Sequence, residues 1–559
     1  MLKRLFPIFE RLPDYDGSSF KGDLIAGITV GIMLIPQGMA YSVLAGLPPV
    51  YGLYASLIPL ILYGLLGTSR ELAVGPVAMV SLLVFSGVSG YAEPGSERFI
   101  QLAILTALGV GLIQFIMGLL RMGFLVNFLS HPVLTGFTAA AAIIIGASQL
   151  KNLLGMNLPS TQQVHQVLIA AFQNFGSIHI PTALIGLGSL AGLILVKKWN
   201  KRIPAALLMV ITGILVVAFF DLSERGVTIV GNIPSGLPSF NPGFLNLTDF
   251  RLLLPNMLVI ALVGYMESIA VAKAIANRKG HKVNANQELI ALGTANIGGS
   301  FFQAFPTTGG FSRTAVNNQA GANSGIASLI SAGIIALTVL FLTPLFYHLP
   351  AAVLAAIIIT AVITLFDYYE ITYLWKTDKK DFGMLLITFL STLFLGIETG
   401  IGVGVITSLA MVIYNSTKPH STELGRLGNS NIFRNTNRFP DAHIDDHIVI
   451  YRFDSPLYFA NVESFSETAK SLIKSRDKPV YYFILDASVI SWIDSTGINV
   501  LKELSRDLKC KQVELIMAST RGPVRDKLSV SGLTDLIGLD NFYYDVADAM
   551  SALKHQNES

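Results

Sequence analysis

Fourteen apolar segments follow one another between Asp23 and about residue 416, and nothing constrains this chain more than that succession. The hydrocarbon core of a bilayer takes ~20 mostly apolar residues per helix, and most of these segments supply something near it. Two do not. AVGPVAMVSLL (73–83) and TTGGFSRTAV (307–316) are short, are led into through glycine and proline, and occupy the third place in two successive sets of seven. Irregular backbone at membrane depth is tolerated only where protein buries it or where it lines a water-filled cavity. Paired, glycine- or proline-interrupted segments at matching positions point to an inverted repeat with a binding site between its halves.

The spans expected from hydropathy lie near 22–45, 51–67, 76–88, 97–119, 124–150, 181–196 and 204–221, then 253–277, 286–299, 312–320, 325–347, 351–366, 381–395 and 398–415. Charged residues make up 13% of the 559, against roughly 25% in soluble domains, and mean hydropathy is +0.58. The net charge of +3 is read as the positive-inside rule and not as a nucleic-acid surface. An even span count starting inside places Arg70, Arg121, Lys197, Lys198, Lys201, Arg202, Arg278, Lys279, Lys282, Lys376, Lys379 and Lys380 in cytoplasmic loops. Few basic residues beyond Arg98, Arg225 and Arg251 remain outside. Both termini are thus expected in the cytoplasm. The first apolar segment runs past the length of a signal h-region and has no convincing cleavage site, so it is expected to be the first span.

The expected organisation is an N-terminal segment 1–20, a transmembrane region 21–416 with repeats at about 21–221 and 252–416, a polar linker 417–446, and a soluble α/β domain 447–559. In the last, IVIYRF, PLYFAN, PVYYFILDAS and QVELIMAS read as strands. They alternate with helices over 462–474, STGINVLKELSRDLK and GPVRDKLSVSGL. Ile498, Leu501, Leu504 and Leu508 form the apolar face of the middle helix. Cys510 is the only cysteine, which excludes an internal disulfide and a cysteine metal site. No P-loop, metal cluster or Ser/His/Asp grouping is present, so neither ATP-driven pumping nor hydrolysis is supported. The glycines of GIGVG (400–404) read as helix-packing residues.

A helix starting at Phe311 or Ser312 would aim free N–H groups and its positive dipole end at the cavity, and Arg313 adds a permanent charge. Gln37 and Tyr41, four apart, share a helical face. Gln37 and Ser312 can each donate a hydrogen bond to an oxyanion without adding charge; an interhelical bond is the alternative for Gln37. Pro36 frees a carbonyl and allows a bend. Glu267 sits mid-span in LVIALVGYMESIAVAKA, where a permanently ionised carboxylate would be expensive. Poised between an apolar setting and a cation, it can load and unload a proton; the alternative is a static bridge to Arg313. Lys273 is expected to snorkel, Glu71 to pair or cap beside Arg70, and His131 to make a structural hydrogen bond or sense pH. Glu398 would mark the turn between the last two spans. Asp494 or Ser495 can cap the helix beginning at Ser495.

The stretch IPQGMAYSVLAGLPPVYGLYASLIPLILYGLLGTSRELAVGPVAMVSLL (35–83), with FPTTGGFSRTAVNNQAGANSG and LVGYMESIAVAKAIA (262–276), resembles the sulfate permease family, and LDASVISWIDSTG (485–497) resembles STAS domains. The resemblance covers essentially the whole chain. It implies a seven-plus-seven inverted repeat with core and gate domains, and a homodimer. It places an anion between facing half-helices, against Gly75, Pro76, Val77, Ala78, Phe311, Ser312 and Arg313, with Gln37 and Tyr41 beside it. It also implies that a glutamate at Glu267 accompanies proton coupling, and that Ser495 matches a serine phosphorylated in related anti-sigma-factor antagonists. The expected activity is sulfate:proton symport by alternating access in the plasma membrane, a bacterial inner membrane being favoured. No cofactor is expected beyond the proton, and cytoplasmic proteins could engage the STAS domain. A bicarbonate, chloride or dicarboxylate transporter or exchanger, a passive channel, and a signalling scaffold are the alternatives.

Overall fold

The computed structural model describes every residue except 1–6, 12, 14, 125–129, 159–163, 201–203, 429 and 559, and it does not describe the side chains of residues 10, 11, 398 and 555–558. Lys201, Arg202 and the Glu398 side chain therefore lie outside the described residues. The chain forms two compact units, Met1–Ser408 and Leu409–Ser559.

Each expected apolar segment is helical. The first repeat runs α1 (Gly17–Leu44), α2 (Pro49–Tyr54), α3 (Ile58–Leu66), β1 (Val74–Gly75), α4 (Ala78–Ser89), α5 (Glu97–Leu119), α6 (His131–Leu154), α7 (Val164–Gln173), α8 (Ile180–Trp199) and α9 (Ala205–Phe219). The second runs α10 (Leu247–Lys279), α11 (Ala285–Ser300), β2 (Thr308–Gly309), α12 (Phe311–Gln319), α13 (Ile326–Leu337), α14 (Ala351–Ile363), α15 (Tyr368–Thr377), α16 (Lys379–Leu395) and α17 (Ile397–Thr417). Among the described residues nine helices or helix pairs are long and apolar enough to cross a membrane. The protein is an integral, polytopic helical membrane protein with a small α/β domain after it.

The ends of the long helices are written in the sequence. Asp16, Ser96, Asn246 and Asn284 each accept from a backbone N–H of the first turn of the helix they precede. Gly155 and Gly280 close α6 and α10 in the left-handed region that glycine enters freely. Pro36 and Pro255 lie inside α1 and α10 without ending them.

The two repeats interleave. Helix α11 packs along α5 and α3, α10 along α5, and α13 along α1 and α3, while α6, α8, α14 and α16 pack on one another as a second bundle. Glycines set several of these approaches. A Cβ on Gly52 would lie 1.9 Å from the Gly38 carbonyl oxygen, and one on Gly325 2.0 Å from that of Gly64. Gly400 and Gly404 meet Thr392, Thr388 and Val133, the packing role expected of that glycine run.

Two acids fasten the repeats to each other in matching ways. Asp23, fully buried near the start of α1, accepts from the backbone N–H groups of Asn323 (2.6 Å) and Ser324 (3.1 Å), from the Ser324 hydroxyl and from the Tyr15 hydroxyl. That loop follows α12. Asp249, near the start of α10, takes a two-pronged bond from Arg98 (2.6 and 2.8 Å), which opens the helix after α4. Each repeat's first span is thus tied just beyond the short helix of the other.

The second unit contains β3 (Ser421–Leu427), β4 (Phe433–Asn435), β5 (Ala442–His443), β6 (Ile448–Phe453), α18 (Val462–Lys474), β7 (Tyr482–Asp486), α19 (Ser495–Cys510), β8 (Glu514–Ala518), α20 (Gly522–Val530), α21 (Leu533–Ile537), β9 (Phe542–Tyr543) and α22 (Val546–Glu558). The path through the sheet is β4-β3-β6-β7-β8-β9, parallel from β6 onward, with β5 also on β3. Side-chain alternation divides its two faces. Val449, Tyr451 and Phe453 join α18, α19 and α20 through Phe465, Leu501 and Leu528, whereas Ile448, Ile450 and Ile484 meet α22 through Ala549 and Leu553.

Two expectations need correction here. Residues 417–446 are not a linker: β3 pairs with β6 and carries β4 and β5, so this stretch completes the sheet. PLYFAN is not a strand beyond one bridge from Leu457 to Ile493. Asn461 folds it into a turn, accepting from Tyr458 N–H (3.0 Å) and donating to the Pro456 carbonyl (2.8 Å). At the start of α19, Asp494 is the cap, accepting from Gly497 N–H at 2.8 Å and from Phe459 N–H at 3.0 Å. Ser495 is left exposed.

Candidate functional site

Strands β1 and β2 pair antiparallel, Val74 opposite Gly309 and Gly75 opposite Thr308. This junction brings together the two short segments that the sequence marked, with the opposed directions that an inverted repeat requires. Each strand leads within three residues into its helix, α4 or α12, and neither helix has a side-chain cap at its N-terminus. The first N–H groups of a helix have no partner within it. Those of Ala78, Met79 and Val80, and of Phe311, Ser312 and Arg313, are therefore two sets of donors, each at a positive dipole end.

Arg313 crosses the junction. It is 2% exposed, and its Nη1 donates to the Pro76 carbonyl on the other repeat. Gly75 and Gly310 leave room for the guanidinium: a Cβ on them would lie 3.4 and 3.1 Å from Nη2. Nε and Nη2 have no hydrogen-bond partner among the described residues. Glu267, on α10, likewise keeps Oε2 buried without a partner. The static Glu267–Arg313 bridge is not formed, although Tyr41, Glu267 and Arg313 lie within electrostatic reach of one another. Gln37 and Tyr41 are 7% and 6% exposed, and the Gln37 amide has no hydrogen-bond partner among the described residues. Gly75, Pro76, Val77 and Ala78 are buried, whereas Phe311 and Ser312 are exposed. The structure thus brings Gly75, Pro76, Val77, Ala78, Phe311, Ser312 and Arg313 to one junction, with Tyr41 and Glu267 within reach of the Arg313 charge; Ser495 belongs to the other unit.

A polar frame that the sequence reading passed over holds β2 in place. Asn296 accepts from Thr307 N–H (2.8 Å) and donates to the Thr307 carbonyl (3.1 Å) and to Gln114 Oε1 (3.2 Å). The Thr308 hydroxyl donates to the Gly264 carbonyl (2.5 Å) and lies 2.6 Å from the Ser268 hydroxyl, whose oxygen accepts from Gly309 N–H (2.8 Å). Ser268 directly follows Glu267, so α10 positions the carboxyl and the strand together. The signal available was the rule already applied to Glu267: polar side chains in mid-span, here Gln114 and Asn296, have partners to serve. On the first repeat, Thr314 accepts from Ala73 N–H (3.1 Å) and Asn317 donates to the Glu71 carbonyl (2.8 Å).

Glu71 pairs with Lys279 (3.1 Å) and His281 (3.4 Å), not with its neighbour Arg70. His131 opens α6 and lies 3.3 Å from Glu370. Lys273 is exposed.

Glu288 was also missed. It is fully buried and accepts from the Tyr63 hydroxyl (2.6 Å), Thr68 N–H (2.6 Å), the Thr68 hydroxyl (2.5 Å) and Ser69 N–H (3.0 Å), just before β1. Glu288→Ala removes the acceptor of four hydrogen bonds, two of them fully buried, and should destabilise the protein by on the order of 3 kcal/mol. Thermal unfolding of the detergent-solubilised chain should show a marked fall in Tm, and a smaller one for Tyr63→Phe, which takes from Glu288 one of its four donors.

Inverted helical repeats joined at two facing half-helices, with a charged and partly unpartnered interior, define a membrane transport protein. Residues 20–388 match the model of the sulfate permease family and residues 439–549 that of the STAS domain. The chain belongs to the sulfate permease family, whose members are transporters and not enzymes. It is 41% identical to the chloroplastic sulfate transporter 4.1 of Arabidopsis thaliana, over 98% of this chain and 82% of that protein. It is 36% identical to the high affinity sulfate transporter 2 of Stylosanthes hamata, over 98% and 86%. The solved structure of the murine Slc26a9 anion transporter in the inward-facing state superposes with a TM-score of 0.90 at 27% identity, covering 99% of this chain and 94% of that one. The transmembrane domain of the cyanobacterial bicarbonate transporter BicA shares the fold, with a TM-score of 0.60 at 21% identity over 71% and 98%.

Proposed function

We propose that the protein is a secondary active sulfate transporter that couples sulfate to a proton by alternating access. The observation that carries the reading is the buried guanidinium of Arg313, anchored through one nitrogen and left with Nε and Nη2 unpartnered beside two uncapped helix N-termini. A guanidinium edge suits two oxygens of a tetrahedral oxyanion, and backbone N–H groups add donors without adding charge. Gln37, Tyr41, Gly75, Pro76, Val77, Ala78, Phe311 and Ser312 complete the cradle. Glu267 takes up the coupling proton, since its carboxyl lies within reach of the Arg313 charge without being consumed by it. The names of the curated relatives support sulfate as the anion.

The protein works as a homodimer in the plasma membrane with both termini in the cytoplasm, where the STAS domain is open to cytoplasmic partners and Ser495 to phosphorylation. Radiolabelled sulfate uptake into proteoliposomes tests the central reading. Uptake should rise with an inward proton gradient and fall with excess unlabelled sulfate, but not with excess bicarbonate or dicarboxylate. No sulfate uptake under either condition removes the substrate assignment; uptake indifferent to the gradient keeps the anion and removes the coupling.

A further inference from the structure

We propose that the second unit carries an anion site of its own, built for a phosphate-like oxyanion, in the polar stretch that completes its sheet. A cavity of about 410 Å³ there is lined by His420, Arg434, Arg438, Phe439, Arg452 and Asp454. That volume is within the ordinary range of small-ligand sites, ~300–1,000 Å³. Three guanidinium groups face one carboxylate, and that carboxylate is already engaged. Asp454 accepts from Arg452 Nε at 2.7 Å and lies 2.7 Å from His420 Nδ1. Burial opposes its ionisation, but the hydrogen bonds from Arg452 and His420 outweigh burial and hold its pKa below the ordinary carboxylate value. Arg434 and Arg438 remain. Neither has an ion pair or hydrogen bond from its guanidinium among the described residues.

Two unpaired guanidiniums four residues apart, beside a neutralised carboxylate and the Phe439 ring, form a cationic recess with bidentate donors. That chemistry recognises a phosphate or sulfate group and not a neutral or cationic ligand. In the sequence, the recess begins just after the last span. His420 is three residues beyond Thr417, the last residue of α17. Tyr414 and Lys418 flank Thr417, with the Lys418 ammonium 6.0 Å from the Tyr414 ring, a pair suited to a membrane interface. The group bound is either the phosphate of an anionic lipid headgroup or a free inorganic oxyanion of the same shape. This site does not depend on the transport reading.

Hydrogen–deuterium exchange of the full chain in nanodiscs tests it. The three conditions are phosphatidylcholine alone, phosphatidylcholine with phosphatidylglycerol, and phosphatidylcholine with inorganic phosphate added. Segments 433–443 and 450–454 should gain protection in the second condition if the source is a headgroup, and in the third if it is a free oxyanion. The double variant Arg434→Gln/Arg438→Gln should lose that protection and weaken the apparent affinity at least about tenfold, while sulfate uptake at saturating substrate is retained. No protection in either arm, or equal protection in the double variant, overturns the site.

Discussion

Glu267→Gln should leave sulfate exchange intact and abolish its accumulation under a proton gradient. Glutamine keeps the size and hydrogen-bonding capacity of the acid but cannot be ionised, so it stands permanently in the uncharged state. If one proton accompanies each anion, every pH unit across the membrane contributes ~1.4 kcal/mol, which sustains about a tenfold accumulation when the membrane potential is clamped at zero. The natural protein should approach that ratio for each unit imposed, and the variant should settle at a ratio near one. Labelled sulfate entering vesicles preloaded with unlabelled sulfate should move at a similar rate in both. A variant that still accumulates sulfate would place the proton elsewhere, and one that loses exchange as well would make Glu267 part of the anion cradle.

Arg313→Ala should be the most damaging substitution in the membrane unit. It removes the guanidinium that spans the junction of the half-helices and takes the Nη1 donor from the buried Pro76 carbonyl. Losing one partner of a buried, hydrogen-bonded charge interaction costs ~2–5 kcal/mol, and we expect uptake at subsaturating sulfate to fall by about a hundredfold or more. Arg313→Lys keeps the charge but not the fork that engages Pro76 and an anion together, so its activity should fall between the two. Uptake measured alongside Tm separates a lost binding group from a lost fold. Both variants unfolding near the natural Tm while uptake fails would locate the damage in recognition.

What was legible in the sequence followed from local chemistry. The spans came from hydropathy, and the cap of α19 from Asp494 standing before its first turn. The paired half-helices came from glycine and proline standing where apolar residues were due. Buried acids with distant partners were not legible. Asp23 and Glu288 serve N–H groups 219 to 301 residues away, and no neighbouring residue announces it. Strands β3, β4 and β5 escaped for another reason. At the edge of the sheet they bury few side chains, Leu424, Asn435 and Ala442 among them, so their composition resembles that of a tether. The short pairing of β1 with β2 is invisible in a pattern of two residues, and it became apparent only once both repeats were folded against each other.

That pairing has a consequence for how the anion is held. The main-chain bonds of β1 and β2, with the Arg313 bond to Pro76, join the halves of the cradle inside an apolar interior, where each unsatisfied backbone group costs several kcal/mol. On the proposed alternating-access reading, a cradle joined this way turns toward one compartment or the other as a single body instead of parting its halves. On that reading, influx and efflux are expected to meet the same set of donors. Under the proposed coupling, net direction would then rest on the gradients of the anion and the proton, and not on any remodelling of the place where the anion sits.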